Sequence, residues 1–231
     1  MRLFAIGDLH LSGGDDKPMD VFGPQWDRHF LRIRENWIRQ VSEEDAVLIP
    51  GDISWAMQLK DALADLEEIA ALPGKKVLCK GNHDYWWNSV SQVRSALPDR
   101  MTALQHNAVD LGETVVCATR GWVFPTAETQ LSEQDAKIYR RETERLRLAL
   151  EDASAKAAGR PVIAMTHYPP LLAGEKKTAF TELMEEYGVH TAVYGHLHGN
   201  GIQNGFTGEW RGVRYFLVSC DSIGFSPKPV F

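Results

Sequence analysis

The chain has 231 residues, of which 44% are hydrophobic and 24% are charged, and this composition excludes a disordered chain because it supplies enough apolar surface for a core. The net charge of −6 means that the protein as a whole does not attract polyanions, so an anion site needs a local source of positive charge. No run of 18 apolar residues occurs and the first apolar stretch is too short for a signal peptide, so we expect a cytoplasmic protein without a membrane span.

The first hundred residues alternate short apolar runs with segments of helical period. Strands are predicted over residues 2–6, 46–49 and 76–79, and helices over residues 26–41, 56–71 and 87–97. In the first helix, for example, Trp26, Ile33 and Trp37 fall on one face. Each of the three strands is followed closely by a glycine and a polar side chain.

The pattern changes after residue 100, where the strands become less regularly spaced. The predicted elements are a hairpin over residues 102–109 and 114–119, a charged helix over 133–157, a strand over 161–165, a helix over 178–187, and strands over 191–194 and 213–220. Ser132 precedes Asp135 by three residues and forms the capping pair of the charged helix.

No repeat or linker divides the chain, and the alternation of strands and helices predicts one α/β domain over residues 1–231 with a partly antiparallel sheet. Three cysteines lie far apart in strand-like runs, at Cys79, Cys117 and Cys220, so we expect buried free thiols in a reducing compartment. The tail over residues 226–231 fits neither a strand nor a helix. Its apolar end suggests packing on a neighbouring copy, so we expect a monomer or a homodimer.

Five of the predicted strands end in side chains that bind metals. The stretches are Gly7-Asp8-Leu9-His10, Gly51-Asp52, Gly81-Asn82-His83-Asp84, Thr166-His167 and Gly195-His196-Leu197-His198. Because ligands bind beyond the carboxyl ends of strands in α/β sheets, we expect these groups to meet at one edge. Imidazole, amide and carboxylate donors suit divalent transition metals, and the clusters contain no cysteine, which argues against a structural thiolate zinc site. One tetrahedral ion needs fewer donors, which favours two ions that share a carboxylate.

Each motif taken alone has a simpler explanation. Asp52 could cap a helix, Asn82 could be a turn residue, and His167 could pack beside the rigid turn that follows it. The pair His196 and His198 is a stronger signal, because residues two apart share one face of a strand. The metal site is favoured by the order and placement of all five motifs together.

Over residues 7–198 the chain resembles the calcineurin-like metallophosphoesterase superfamily. The resemblance rests on five motifs in the family's order, which are GDLH, GDIS, GNHD, the histidine of THYPP, and GHLHG. The resemblance implies a four-layer α/β/β/α sandwich with two mixed β-sheets. It implies two divalent ions (Mn, Fe or Zn), the first bound by Asp8, His10, Asp52 and His198 and the second by Asp52, Asn82, His167 and His196. It also implies that His83 lies against the substrate phosphate and that Asp84 orients His83.

The implied activity is hydrolysis of a small phosphomonoester or phosphodiester by a hydroxide that bridges the two ions. The ions would supply the positive field that the acidic chain lacks, and a protonated His83 could donate a proton to the leaving group. The alternative is a non-catalytic binding scaffold, because the retromer subunit shares this fold with a degenerate centre. The intact set of motifs favours the enzyme.

Features beside the motifs leave the details of the substrate open. The loop over residues 11–25 could be a lid or an ordinary surface loop. The aromatic residues Trp55, Tyr85, Trp86, Trp87 and Trp122 could stack against a substrate or pack in the core. Arg120 and the pair Lys176-Lys177 could clamp a phosphate or belong to the solvated surface.

Two departures from the family pattern bear on the substrate class. The second motif reads Gly-Asp-Ile-Ser-Trp and lacks the acidic or amide residue that relatives often have there, so their substrate class is not carried over. After residue 198 the chain has no long capping domain, and it has no basic stripe. These absences argue against a nucleic-acid polymer and favour a small phosphoester.

Overall fold

A computed structural model describes residues 1–12, 19, 23–126, 128–175 and 177–231. Its elements are β1 (Leu3–Ala5), α1 (His29–Gln40), β2 (Ala46–Pro50), α2 (Leu59–Ala70), β3 (Lys75–Cys79), α3 (Val90–Ala96), β4 (Met101–Ala103), β5 (Asn107–Asp110), β6 (Val115–Thr119), α4 (Glu133–Ala157), β7 (Val162–Thr166), α5 (Ala179–Glu186), β8 (Thr191–Tyr194), β9 (Gly208–Trp210), β10 (Val213–Leu217) and β11 (Lys228–Pro229). Most of the loop considered as a lid, and Lys176, lie outside the described residues.

The strands form two mixed sheets. The first has the order β11-β1-β2-β3-β4, and the second has the order β5-β6-β7-β8-β10-β9. Strands β1 to β4 pair in parallel and β11 is antiparallel. In the second sheet β6, β7, β8 and β10 are parallel, and β5 and β9 are antiparallel edge strands.

Alternate residues of the central strands face two different cores. In β2, Ala46 and Leu48 pack between the two sheets, whereas Val47 and Ile49 pack with the apolar faces of α1 and α2. In β7 the inward and outward residues alternate in the same way, and the outward ones pack against α4 and α5. The order of layers is therefore helix, sheet, sheet, helix, and the expected four-layer α/β/β/α sandwich is confirmed.

The strand predicted over residues 102–109 is wrong as a single element. Met101–Ala103 pairs in parallel with β3 in the first sheet, whereas Asn107–Asp110 pairs antiparallel with β6 in the second. The chain passes from one sheet to the other between them, with His106 in a left-handed conformation at φ 51°. An apolar period indicates a strand but not the sheet that the strand joins.

The C-terminal tail also differs from its prediction. Strand β11 pairs with β1 of the same chain, and the Val230 N–H donates a hydrogen bond to the carbonyl of Leu3 at 2.9 Å. Val230 is only 3% exposed and belongs to the core between the sheets. No local pattern indicates this pairing, because the two strands come from opposite ends of the chain.

The remaining differences concern the ends of elements. The first helix begins at His29 rather than at residue 26, because Pro24–Trp26 forms a 3-10 turn and Arg28 has a φ of 45°. The last long strand ends at Leu217, and Cys220–Ile223 forms another 3-10 turn. All three cysteines are free and buried, as predicted. Within the described ranges, no helix combines the length and apolar character needed to cross a membrane.

Asp45 ties the start of the chain to the first sheet and is only 3% exposed. Its carboxylate accepts hydrogen bonds from the Arg2 backbone N–H at 2.8 Å, from the Arg2 guanidinium at 2.7 Å and from the Ser42 N–H at 2.9 Å. Burial by itself would raise the pKa of Asp45, but these hydrogen bonds outweigh it and hold the pKa well below its usual range. The ionised carboxylate therefore stabilises the folded state.

We expect Asp45→Ala to lower the free energy of unfolding by about 2 kcal/mol near neutral pH, because the backbone N–H groups of Arg2 and Ser42 and the Arg2 guanidinium lose their acceptor. The measurement is urea denaturation of the variant and the wild type. The depressed pKa means that the stabilisation is present above the unfolded-state pKa and is lost as the pH falls. The difference between the two proteins should therefore shrink between about pH 5 and pH 2. A difference that stays constant over that range would contradict the role of the ionised carboxylate.

Candidate metal centre

Every predicted ligand lies just beyond the carboxyl end of a strand. Asp8 and His10 follow β1, Asp52 follows β2, Asn82 follows β3, His167 follows β7, and His196 and His198 follow β8. Strands β1, β2 and β3 are parallel neighbours in one sheet, as β7 and β8 are in the other. Because the two sheets pack face to face, the five motifs meet at one edge of the sandwich.

The backbone is strained at four of these positions. Asp8, His10, Asp52 and His196 have φ values of 59°, 45°, 50° and 73°, in the left-handed region that side chains other than glycine rarely adopt. Such strain persists only where the surrounding structure imposes it, and it is concentrated at functional sites. Its presence at four of the seven predicted ligands marks this edge as such a site.

Two glycines make room for the carboxylates of the cluster. A Cβ on Gly81 would collide with Asp52 Oδ1, and a Cβ on Gly195 would collide with Asp8 Oδ2. In both motifs the glycine approaches a predicted ligand from another strand. The close approach of strand ends from different segments therefore depends on residues without a side chain.

A first group of donors consists of Asp8, His10 and His198. One donor atom from each lies within 4.8 Å of the other two, and Nε2 of His198 is 3.3 Å from Oδ1 of Asp8. Nε2 of His10 also lies 3.9 Å from Oδ2 of Asp52. These are the four residues that the family resemblance assigns to one ion.

A second group of donors forms around Asn82. Its Oδ1 lies 2.6 Å from His167 Nε2 and 2.9 Å from His196 Nδ1, and these two nitrogens are 3.2 Å apart. His167 Nε2 is 3.5 Å from Oδ2 of Asp52. Oδ2 of Asp52 thus lies between the two groups. Asp8 also reaches toward the second group, because Asp8, Asp52 and His167 form another set of donors within 4.8 Å.

The protonation of the cluster reflects burial of many ionisable groups together. Burial lowers the pKa of His10 and of His196 to about 3, which keeps both rings neutral and their nitrogens able to bind a metal. Burial, together with the charges of Asp8 and Asp84, raises the pKa of Asp52 to about 7 despite the opposing effect of His167. The buried carboxylates of Asp8 and Asp52 repel each other, and a cation between them would remove this repulsion.

Two ring nitrogens of the cluster lack a hydrogen-bond partner within the described part of the chain. They are Nε2 of His198 and Nδ1 of His83, and both are buried. A buried nitrogen without a partner is costly, and Nε2 of His198 faces the carboxylate of Asp8 at 3.3 Å. Together with the mixed nitrogen and oxygen donors, this arrangement fits divalent transition metal ions.

His83 lies at the opening of the donor cluster. It lines a cavity of about 110 Å³ together with Asp52, His196 and His198, and its ring centroid lies 4.5 Å from that of Trp55. The backbone N–H of His83 donates to Oδ1 of Asp52 at 2.8 Å. The imidazole of His83 therefore forms part of the wall through which a ligand would reach the centre.

The expected role of Asp84 in orienting His83 does not match the contacts of its carboxylate. That carboxylate is fully buried and accepts hydrogen bonds from the backbone N–H groups of Asp52, Ile53, Ser54 and Gly81 at 2.8–3.2 Å. It also accepts from Trp86 Nε1 at 3.1 Å, whereas Nδ1 of His83 has no partner among the described residues. These backbone N–H groups lie beyond the ends of β2 and β3 and are not paired in the sheet, so they need another acceptor. By accepting from them, the Asp84 carboxylate holds the loops that carry Asp52 and Asn82.

Aromatic side chains form the walls of the centre. The ring of Trp55 stacks on His10 at a centroid distance of 4.9 Å, and Trp26 packs edge-on against His198 at 5.5 Å. Trp86 and Trp87 are instead buried in the helix-side core of the first sheet. The sequence did not predict the contact of Trp26 with His198. The helical period placed Trp26 in the first helix, whereas it lies in a 3-10 turn before α1.

Asp221 is a residue of the site that sequence reasoning missed. Its Oδ1 lies 2.9 Å from Nδ1 of His198, and its Oδ2 accepts a hydrogen bond from the Gly199 N–H at 3.0 Å. Burial would lower the pKa of His198, but Asp221 and Asp8 raise it to about 10. A signal was present, because Asp221 directly follows the strand predicted over 213–220, as the other candidates follow theirs.

A second cavity opens beside the centre. It has a volume of about 360 Å³ and is lined by His196 and by apolar side chains that include Trp122, Phe124, Tyr168 and Leu197. The ring of Tyr168 lies 4.2 Å from that of His196. The cavity therefore adjoins the donor cluster and offers an apolar, partly aromatic surface.

Comparison with known proteins finds one matching family. The sequence model of the family described as calcineurin-like phosphoesterase matches residues 1–200. No curated protein sequence matches the chain significantly.

Among solved structures, the phosphopantetheinyl hydrolase of Mycobacterium tuberculosis has 16% sequence identity and a TM-score of 0.56, over 94% of this chain and 88% of that one. The protein AQ665 of Aquifex aeolicus, of unknown function, has 14% identity and a TM-score of 0.51, over 98% and 94% of the two chains. TT1561 of Thermus thermophilus has 14% identity and a TM-score of 0.50, over 85% and 82%. At these identities the similarity is one of fold.

Proposed function

This chain belongs to the calcineurin-like phosphoesterase family, and from that membership we propose that it hydrolyses a small phosphomonoester or phosphodiester with two divalent metal ions. The observation that carries the proposal is the position of Asp52 Oδ2, which lies 3.9 Å from His10 Nε2 and 3.5 Å from His167 Nε2. One carboxylate can thereby serve both groups of donors. A non-catalytic scaffold would not need both groups.

The proposed ligands follow the two groups. Asp8, His10, Asp52 and His198 hold one ion, and Asp52, Asn82, His167 and His196 hold the other. When bound, the ions supply positive charge for the phosphoryl oxygens and lower the pKa of a water molecule. The metals Mn, Fe and Zn all suit this mixture of imidazole and oxygen donors.

The remaining residues position the substrate and handle the proton. His83 lines the same cavity as Asp52 and His196, so its ring contacts a phosphoryl group that enters there. In its protonated form it donates a proton to the leaving oxygen. Asp84 keeps Asp52 and the third motif in place through its backbone hydrogen bonds.

The proposed function is tested by elemental analysis of the purified protein and by turnover of two aryl esters. A simple aryl phosphate reports monoesterase activity, and its bis-aryl diester reports diesterase activity. We expect two equivalents of metal and hydrolysis of at least one ester after loading with Mn, Fe or Zn. No turnover of either ester with any of these metals would refute the proposal.

Asp221 is proposed to hold the His198 ring in the orientation that directs Nε2 toward Asp8. Asp221→Ala should weaken metal binding by about 10- to 100-fold, because partners of this kind orient a metal-binding histidine. The measurement is competition with a chelator of known affinity, and activity should recover at high metal concentration. Asp99→Ala, at an exposed site, is the matched control. Unchanged metal affinity in Asp221→Ala would contradict this role.

The cavity beside His196 is proposed to hold the organic part of the substrate. Trp122→Ala should raise KM for a bis-aryl diester by about tenfold, because a buried aromatic contact of this size contributes about 1.5–3 kcal/mol. KM for a methyl phosphoester, which cannot reach the cavity wall, should change little. Steady-state kinetics on both substrates provides the test. An equal rise in KM for the two would indicate general damage to the site instead.

A further inference from the structure

A third cavity, with a largely polar lining, lies at the same edge of the sandwich, on the side of β4 and β6. It has a volume of about 210 Å³, and its lining includes Lys80, Trp87, Arg120, Arg141, Glu142 and Arg145. We call this space, lined by these six residues, the cationic cavity. Lys80 directly follows β3, Arg120 directly follows β6, and Arg141 and Arg145 lie one turn apart on α4. None of the six is a proposed metal ligand.

The positive charges of the cationic cavity exceed what its one carboxylate needs. Glu142 is fully buried, and its Oε1 accepts from Arg145 at 2.6 Å while its Oε2 accepts from Thr119 Oγ1 at 2.7 Å. Arg145 thus neutralises Glu142. Arg141 lies farther away, with its Nε 4.0 Å from Glu142 Oε1.

Lys80 and Arg120 contact neutral groups of the protein. Lys80 Nζ donates to the backbone carbonyl of Trp87 at 2.5 Å, and the guanidinium of Arg120 stacks over the Trp122 ring at 4.5 Å. Burial, together with the charge of Arg120, lowers the pKa of Lys80. The cationic cavity is thus a local concentration of positive charge in a chain whose net charge is −6.

Trp87, which lines the same cavity, carries a donor without a partner among the described residues. Trp87 is 1% exposed, and its Nε1–H has no hydrogen-bond partner within the described ranges of the chain. An indole nitrogen is a donor only, and a buried donor without an acceptor costs about 1–3 kcal/mol. The indole, the guanidinium groups and the ammonium group are all hydrogen-bond donors, and the four cations favour an acceptor that carries negative charge.

The cationic cavity lies close to the donor cluster, and hydrogen bonds connect the segments that form the two sites. The backbone carbonyl of Arg120 accepts from the His167 and Tyr168 N–H groups, each at 3.0 Å. Trp86, the neighbour of Trp87, donates to Asp84 at 3.1 Å. The volume corresponds to about seven water molecules, which is ample for a tetrahedral oxyanion.

From the excess cations and the unpartnered indole, we propose that the cationic cavity is a binding site for a phosphate-type oxyanion, separate from the metal centre. The site goes beyond the proposed hydrolysis and does not depend on it. The oxyanion is either a second phosphoryl group of the substrate or part of a separate phosphate-bearing molecule.

The test is calorimetric titration of the metal-loaded protein with inorganic phosphate. We expect one equivalent at the metal centre and a second at the cationic cavity. Arg141→Gln should weaken the second equivalent by about tenfold or more without altering the first, and it should fold because its side chain is 56% exposed. Trp87→Phe, which keeps an aromatic side chain but replaces the indole with a smaller ring that has no N–H, should also weaken it. Arg140→Gln changes the same charge on the neighbouring, exposed residue of α4 and should have no effect.

A titration that shows binding at the metal centre only, or a second equivalent that survives both Arg141→Gln and Trp87→Phe, would overturn the proposal. Phosphate binding at the cationic cavity should persist after the metal is removed with a chelator. Failure of the oxyanion-site proposal is therefore distinguishable from failure of the proposed hydrolysis. The source of the oxyanion is found by comparing a sugar bisphosphate with the corresponding monophosphate. If Arg141→Gln raises KM only for the bisphosphate, the bound oxyanion is a second phosphoryl group of the substrate. If KM is unchanged for both compounds, the oxyanion belongs to a separate molecule.

Discussion

Asp52→Ala is expected to remove both metal and activity. Oδ2 of Asp52 lies between the two groups of donors, 3.9 Å from His10 Nε2 and 3.5 Å from His167 Nε2, so its loss weakens both proposed ion sites at once. We expect the metal content to fall from two equivalents to one or fewer. Turnover of an aryl diester should fall by about a thousandfold or more, because metal ions contribute several kcal/mol to such reactions.

The metal content is measured by elemental analysis after gel filtration, and turnover is measured with metal in excess. Asp61→Ala, at an exposed position of α2, changes the net charge equally and should leave both quantities unchanged. Asn82→Ala should resemble Asp52→Ala, but with loss of one ion. Retention of two ions by Asp52→Ala would refute the shared carboxylate.

His83→Ala is expected to separate activity from metal binding. The imidazole lines the opening of the centre, and its Nδ1 has no hydrogen-bond partner in the described part of the protein. The His83 N–H that holds Oδ1 of Asp52 at 2.8 Å belongs to the backbone, so alanine preserves it. We therefore expect two equivalents of metal and a kcat lower by about 10²- to 10⁴-fold.

The leaving group shows whether His83 acts by donating a proton. An ester with a good leaving group, such as nitrophenol, needs little protonation, so its kcat should fall less than that of an alkyl ester. His106→Asn, at an exposed position with φ 51°, is a suitable control because asparagine tolerates this conformation. Full turnover of both esters by His83→Ala would withdraw the catalytic role.

The positions of the candidate ligands could be predicted because each one closely follows a strand. Apolar runs locate strand ends along the chain, and parallel strands bring their carboxyl ends to one edge. The rule therefore predicts that Asp8, Asp52 and His167 lie together, and the structure brings a donor atom of each within 4.8 Å of the others. Asp221 obeys the same rule but was overlooked, because it lies outside the quoted motifs.

The functions of the surrounding residues were less predictable because they depend on contacts between distant segments. The direction in which the Asp84 carboxylate points depends on the free backbone N–H groups of Asp52 and Ile53, which lie 32 and 31 residues away in the sequence. Trp55 and Trp87 look alike in the sequence, yet Trp55 stacks on His10 of the donor cluster and Trp87 lines the cationic cavity.

Most strands, the alternation of their buried faces and the residues at their ends could be predicted from the sequence, whereas β9, β11 and the division between β4 and β5 could not. The predictable features are local properties, since hydrophobic period and turn residues act over a few positions. The three-dimensional packing was needed to show that residues 102–109 divide between two sheets, that β11 closes the edge beside β1, and that four cationic side chains line one cavity with a single carboxylate. Pairing and charge clustering of this kind depend on packing between segments far apart in the chain, and no local pattern encodes the partner.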